Sequence, residues 1–319
     1  MSDTRMKVGD PEYQQHAKEE IEHYTKIFLD GQSAAADKSG ADPLFQPVPA
    51  VWVEVERRAS ELLRARTGND AIGHVAAYLS GAPGRKMLSL GSGPGGIELA
   101  LSRVVRSAHI TCVDFNPNLV ALGQEAAAQE QLAVDFATAD LNTVDLPQAE
   151  YDIVFCHASL HHVLELERLA AEIRKTLRSG GRLIVIDVIS RNGYLMWPET
   201  REVVSHIWRT LPPRLRINHT AYETPRVDEE VWEMDTSASS MECIRSQEIL
   251  PVLNATFTQE HYVPYFALSR RFFDTMYGPN YRLEMPLDLA VVNWIWELDC
   301  YSLDAKTLRP ETFFAVYCV

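Results

Sequence analysis

With 319 residues, 46% of them apolar, the chain can bury one large core or two small ones. Its 44 acidic side chains against 30 Lys and Arg leave a net charge of −14, a field that repels phosphate backbones and argues against nucleic acid as a partner. No apolar run is long enough to span a membrane and the N-terminal stretch is polar. The five scattered cysteines, Cys112, Cys156, Cys243, Cys300 and Cys318, make no CxxC pair or zinc spacing, so a cytoplasmic protein without a metal is expected.

Residues 1–84 read as a helical N-terminal cap of three helices, "PEYQQHAKEEIEHYTKIFLDG", "VPAVWVEVERRASELLRARTG" and "NDAIGHVAAYLSG", each closed by a glycine. The small-residue stretch "QSAAADKSGADPLFQP" between the first two reads as a loop. From residue 85 the texture changes. Apolar runs "KMLSL", "HITCVDF", "AVDFATA", "YDIVFCH" and "RLIVIDVI" alternate with helix-like runs over 95–105, 118–130 and 164–177. Near-continuous apolar strands separated by amphipathic helices predict a parallel sheet covered on both faces, a doubly wound α/β domain over 85–319. The alternation breaks over 190–236, a stretch rich in Trp, Tyr, Pro and Arg that reads as a substrate or lid insertion. Beyond it, "SSMECIRSQEILPVLNATF" reads as helix, "TQEHYVPYFAL" as strand, "LDLAVVNWIWELDCYSL" as helix and "TFFAVYCV" as a last strand.

The first strand runs into "GSGPGG", where Gly91 and Gly93 can take the positive φ of a tight strand-to-helix turn and let a ligand approach backbone N–H groups. A plain tight turn would look the same. The second strand ends at Asp114, placed to accept hydrogen bonds from both hydroxyls of a ribose, although Asp114 or Asn116 could instead cap the helix that begins at Pro117. Past the third strand, Asp140 and Leu141 suit an adenine amino group and its apolar face.

Taken in order, "LSLGSGPGG", "VDFNP", "ADLN", "YDIVFCHASLHHV" and "LRSGGRLIVIDVI" resemble the motifs of the class I S-adenosylmethionine-dependent methyltransferases, of the bacterial small-molecule biosynthetic kind. "ATFTQEHYVPYF" and "TFFAVYCV" resemble that family's sixth and reversed seventh strands. The resemblance implies a Rossmann-like, seven-stranded, mostly parallel sheet with the cap and the insertion after strand five. It also implies S-adenosylmethionine bound by Gly91, Ser92, Gly93, Gly95, Asp114, Phe115, Asn116, Asp140, Leu141 and His157. In one place the chain departs from the family: Ser89 stands where an Asp or Glu commonly helps hold the methionine ammonium. Backbone carbonyls near Gly91, or a carboxylate from elsewhere, must then take over.

Methyl transfer is an in-line displacement, so the protein has chiefly to position the nucleophile and exclude water, and a base is useful where the acceptor must lose a proton. His161 and His162, past the end of the fourth strand, are the candidate bases, and Asp187, ending the fifth, is placed to orient a histidine or hold substrate. Tyr24 from the cap, and Trp197, Arg201, Trp208 and Tyr222 from the insertion, are candidate substrate walls. The expected activity is N- or O-methylation of an amino acid, sugar or natural-product intermediate, with a homodimer compatible and neither membrane nor nucleic acid involved. Two alternatives stay open: an NAD-dependent dehydrogenase, whose final strand would run forward, and a non-catalytic cofactor-binding or interaction protein.

Overall fold

The computed structural model describes residues 6–36 and 48–319, so most of the loop expected between the first two helices lies outside the described residues. Helix α1 (Pro11–Ala36) runs past Gly31, where a stop was expected, into three alanines; the alanines' preference for helix outweighs the cost of one interior glycine. Helix α2 (Ala50–Thr67) does end as expected, with Gly68 at φ 89° donating its N–H to the Arg64 carbonyl. Helix α3 (Ala71–Ser80) is capped by Asp70, whose carboxylate accepts from the Gly73 N–H.

The central sheet has seven strands: β1 (Lys86–Leu90), β2 (His109–Asp114), β3 (Val134–Thr138), β4 (Tyr151–His157), β5 (Leu177–Val188), β8 (Thr258–Tyr265) and β9 (Thr312–Cys318). They lie in the order β3-β2-β1-β4-β5-β9-β8. The strands β1 to β5 pair in parallel, whereas β9 slots between β5 and β8 and runs antiparallel to both, with Phe314 opposite Ile186 on one side and Val263 on the other. The final strand is therefore reversed, and the forward-running strand of the dehydrogenase alternative is absent.

Strand alternation sorts the core into two layers. Along β1, Met87 joins the layer holding Val51, Val55, Leu63, Val75 and Leu79 of α2 and α3, so the first helices share the sheet's own core. Leu88 and Leu90 point the other way, toward α6 (Leu166–Thr176) and α8 (Ile249–Thr256). Helices α4 (Gly96–Val104), α5 (Pro117–Glu130) and α10 (Pro286–Asp304) complete the cover. Among the described residues no helix is long and apolar enough to cross a membrane.

The insertion carries α7 (Pro198–Thr210) and a two-strand ribbon, β6 (Ile217–Asn218) with β7 (Arg226–Val227). It behaves as core: Met196, Val204, Ile207, Trp208 and Leu215 are buried with Phe272 and Tyr277. The stretch expected as one helix from 239 is irregular as far as Glu248, and only α8 is helical. Asp235 and the serines around it bond neighbouring backbone instead of leaving it to a helix, with the Ser237 N–H on the Asp235 carboxylate and the Ser240 hydroxyl on the Thr236 carbonyl.

Candidate active site

One cavity of about 770 Å³ opens along the carboxyl ends of the strands and is roofed by α1 and α2. At its β1 end the chain turns through Gly91 at φ 71° and Gly93 at φ 56°. A Cβ on Gly91 would lie 2.3 Å from that of Ser159, so the turn and the β4 loop touch only because Gly91 has none. A Cβ on Gly93 would meet nothing nearer than Leu119 Cδ1 at 4.0 Å; the space it would enter is cavity. Gly95 differs from expectation. It does not line the cavity, and its missing side chain lets Phe136 approach to 2.6 Å of where a Cβ would be, which serves helix-to-strand packing.

Asp114 faces this turn. Its Oδ2 accepts the Gly93 N–H at 2.7 Å and its Oδ1 the Asn116 N–H at 2.8 Å, leaving lone pairs on both oxygens for a ligand. Burial pushes its pKa up, partly offset by those two bonds. Asn116 both caps α5, accepting from the Asn118 and Leu119 N–H groups, and donates to the Ile21 carbonyl of α1. Asp140 is held by the hydroxyl of Tyr13 and by Asn142, whose side chain in turn accepts the Leu164 N–H at 2.8 Å. Ser92, Phe115, Leu141 and His157 line the cavity with them.

A carboxylate of the following helix stands against position 89. The hydroxyl of Ser89 donates to Glu98 Oε1 at 2.6 Å, both side chains are buried, and Glu98 lines the cavity beside the glycine turn. Burial pushes the Glu98 carboxyl up to about 6, against the pull of the Ser89 bond.

At the β4 and β5 ends the two expected histidines and Asp187 come together around a residue the sequence reading missed, Glu242. Asp187 Oδ1 sits 2.5 Å from His161 Nδ1, while its other oxygen accepts the Leu160 N–H at 2.7 Å and the Ser159 N–H at 3.1 Å. His162 Nδ1 is paired with Glu20 of α1 at 2.7 Å. The Nε2 atoms of both rings then face Glu242, each 3.6 Å from one of its oxygens. Burial alone would lower His161, but Asp187 and Glu242 raise its pKa well above the ordinary value; the same histidine, against burial, holds Glu242 and Asp187 low. His162 is raised too, by Glu20 and Glu242 against burial and its neighbour. Glu242 is pinned there through its neighbours: the Ile244 N–H donates to the His161 carbonyl at 3.0 Å, and Arg245 binds the Leu164 carbonyl together with Glu167 and Glu248.

His161, Glu242 and Cys243 each bring a potential metal ligand within 4.8 Å of the others. Burial pushes the Cys243 thiol up to about 12, which keeps it protonated, and the Glu242 oxygens lie against the two imidazoles.

Of the expected substrate walls, Tyr24 lines the cavity, with its hydroxyl 3.5 Å from Glu242. The other four do not. Trp208 is core, its indole N–H on the Asp228 carbonyl; Tyr222 also bonds Asp228; Trp197 lies under Arg309 and bonds the Pro310 carbonyl; Arg201 pairs with Glu233. Of these only Trp208 lies on the face that α7 buries, with Thr200, Val204 and Ile207. The polar groups that line the cavity beyond the histidine cluster are instead Glu56 on α2 and Arg270.

A glycine turn at the first strand, an acid ending the second and a reversed last strand define a class I methyltransferase fold. Residues 88–185 match the family described as methyltransferase domain, so this part of the chain is a methyltransferase domain of the S-adenosylmethionine-dependent kind. Over 105 residues it is 28% identical to the phosphoethanolamine N-methyltransferase of Triticum aestivum, a match covering 33% of this chain and 21% of that protein. Over 181 residues it is 25% identical to the demethylmenaquinone methyltransferase of Clavibacter sepedonicus, covering 54% of this chain and 70% of that one. The chain thus spans about a fifth of the plant relative. Among solved structures, the [4+2]-cyclase SpnF aligns over 95% of this chain and 96% of its own with a TM-score of 0.51 at 18% identity, a likeness of fold.

Proposed function

We propose that the protein methylates a nitrogen or oxygen of a small molecule enclosed in this cavity. S-Adenosylmethionine, when bound, supplies a methyl group already activated on a sulfonium. The observation that carries the reading is continuity: one cavity joins the Gly91–Gly93 turn, Asp114 and Glu98 to the His161–Glu242 cluster. Asp114 would take the ribose hydroxyls, Asp140 and Leu141 the adenine, and Glu98 the ammonium that Ser89 cannot. These roles fit the residues present, because the glycine turn leaves open space and the Asp114 oxygens face it.

On the acceptor side the raised His161 is a charged imidazolium near neutrality, so it does not itself take a proton. Glu242, which the two imidazoles hold low, stays ionised and accepts a hydrogen bond from the acceptor O–H or N–H, turning its lone pair toward the methyl group, while Asp187 fixes the His161 ring and the proton leaves to solvent after transfer. α1 excludes water over the site through Tyr13, Glu20 and Tyr24. Titration calorimetry with S-adenosylhomocysteine tests the reading directly; absence of binding overturns it. Binding without transfer to any amine or hydroxyl in a broad acceptor panel would favour a non-catalytic role.

A further inference from the structure

Two neighbouring arginines open helix α9 (Arg270–Phe273), and the structure uses them differently. Arg271 is fully engaged: Nε and Nη2 take the two oxygens of buried Glu311 at 2.8 and 2.9 Å, and Nη1 donates to the Tyr194 carbonyl. Arg270 makes one bond, from Nε to the Tyr194 hydroxyl at 2.7 Å, and its guanidinium lies 5.3 Å from the Tyr194 ring and 5.6 Å from the Trp52 ring. Among the described residues its terminal nitrogens have no hydrogen-bond partner and no carboxylate within 4 Å, yet it lines the cavity. This part-buried guanidinium is balanced only at longer range, by Asp274, Glu242 and Glu56, so a ligand that brings acceptors to its terminal donors gains charge-assisted bonds there, and its fork matches a planar anion.

Its position assigns that ligand. Arg270 follows β8, at the opposite edge of the sheet from β3, whereas the adenosine end of the cavity lies over β1, β2 and β3. Between them stand His161 after β4 and Asp187 ending β5. We infer that the methyl acceptor is an amphiphilic acid, whose carboxylate or similar anion seats on the terminal nitrogens of Arg270 and whose apolar body lies against Trp52 and Tyr265. This deepens the methyl-transfer reading and rests on it for the acceptor's role.

Glu56 sharpens the specificity. It lines the same chamber with no hydrogen bond or ion pair among the described residues, and burial pushes it up to about 7 despite Arg270 nearby. A carboxylate there competes with an incoming anion for Arg270, and its protonated form does not.

The test is calorimetric titration of the full chain, saturated with S-adenosylhomocysteine, with 2-naphthoate and with 2-naphthamide, which share a body and differ in charge. The wild type is expected to bind the acid at least about tenfold more tightly than the amide, in line with a charge-assisted pair. Arg270→Met should erase that preference while keeping cofactor-product affinity, Arg270→Lys should retain part of it, and Glu56→Gln should increase it. Equal binding of acid and amide by wild type, or an acid preference surviving Arg270→Met, overturns the inference. Should Arg270→Met not fold, a full acid preference in Arg270→Lys does so, since a lysine lacks the fork. If S-adenosylhomocysteine itself fails to bind, the methyl-transfer reading falls separately, and the acid-versus-amide comparison without it still judges Arg270.

Discussion

Replacing Glu98 by Gln should move stability and cofactor affinity in opposite directions. In the free protein Glu98 is an ionised carboxylate near neutrality in a buried site, with its pKa pushed from an ordinary 4.5 to about 6. Because the folded-state value is raised, the folded protein binds the proton more tightly than the unfolded chain, and stability falls as pH rises from about 4.5 to 6. At 1.36 kcal/mol per pKa unit the penalty above pH 6 is about 2 kcal/mol. Glutamine retains an acceptor for the Ser89 hydroxyl and carries no charge, so Glu98→Gln should gain that amount at pH 7.5. For a chain of this size the gain corresponds to a Tm rise of roughly 3 °C. Cofactor binding should suffer, since a charged contact to an ammonium is worth about 1.5–3 kcal/mol, or roughly 10- to 150-fold in Kd. Differential scanning calorimetry without ligand and titration with S-adenosylhomocysteine from pH 5.5 to 8 measure the two effects. Wild-type affinity should weaken as pH falls through about 6 and the variant's should be flat across that range. A variant that binds as tightly as wild type, or with an unaltered pH profile, would refute the assignment of Glu98 to the ammonium.

Asp114→Asn should weaken S-adenosylhomocysteine by about 1.5–3 kcal/mol while leaving the Arg270 acid preference intact, read by the same titrations. Glu242→Gln should retain cofactor affinity and lower kcat by about 10²-fold; an unimpaired rate would remove Glu242 as the group that orients the acceptor. Asp187→Asn breaks a buried ion pair and should destabilise by about 3–5 kcal/mol, seen in denaturant melts. His161→Gln should show a pH signature in Tm. The raised histidine contributes fully below its unfolded value near 6.5 and loses that contribution as pH climbs through its folded one, and depressed Asp187 and Glu242 contribute above about 4. The gap between wild type and variant should therefore be widest between about pH 4 and 6.5, and narrow in more alkaline buffer; a pH-independent gap contradicts the pairing.

Much of the fold was legible because parallel strands buried on both faces are written as unbroken apolar runs: Tyr151–His157 and Lys86–Leu90 fall on the residues expected. The glycine turn was legible for a different reason, since few other settings need positive φ at Gly91 and Gly93 together. The acceptor side was not. Glu242 is brought to His161 by a hydrogen bond between residues distant in sequence, Ile244 N–H to the His161 carbonyl, and nothing in "SSMECIRS" marks one carboxylate as turned inward. Glu98 looks like any acid in a first helical turn, and only the absence of an acid at Ser89 hinted that one was needed. The insertion misled because Trp and Arg suit a binding wall, a packed helix and a surface ion pair alike; Trp208 proves to be core and Arg201 an exposed partner of Glu233, while Arg270 and Glu56 sit in stretches with no unusual composition.

The single helix α1 bonds to four separate stretches around the cavity rim: Tyr13 to Asp140, Glu20 to His162, Thr25 to Asn116 and Tyr24 to Glu242. Two of these contacts lie by Asp114 and Asp140 and two by the His161–Glu242 cluster, so one helix walls both ends of the cavity. Two ligands seated at the two ends would share that wall, and they should bind with positive cooperativity, each slowing the other's departure.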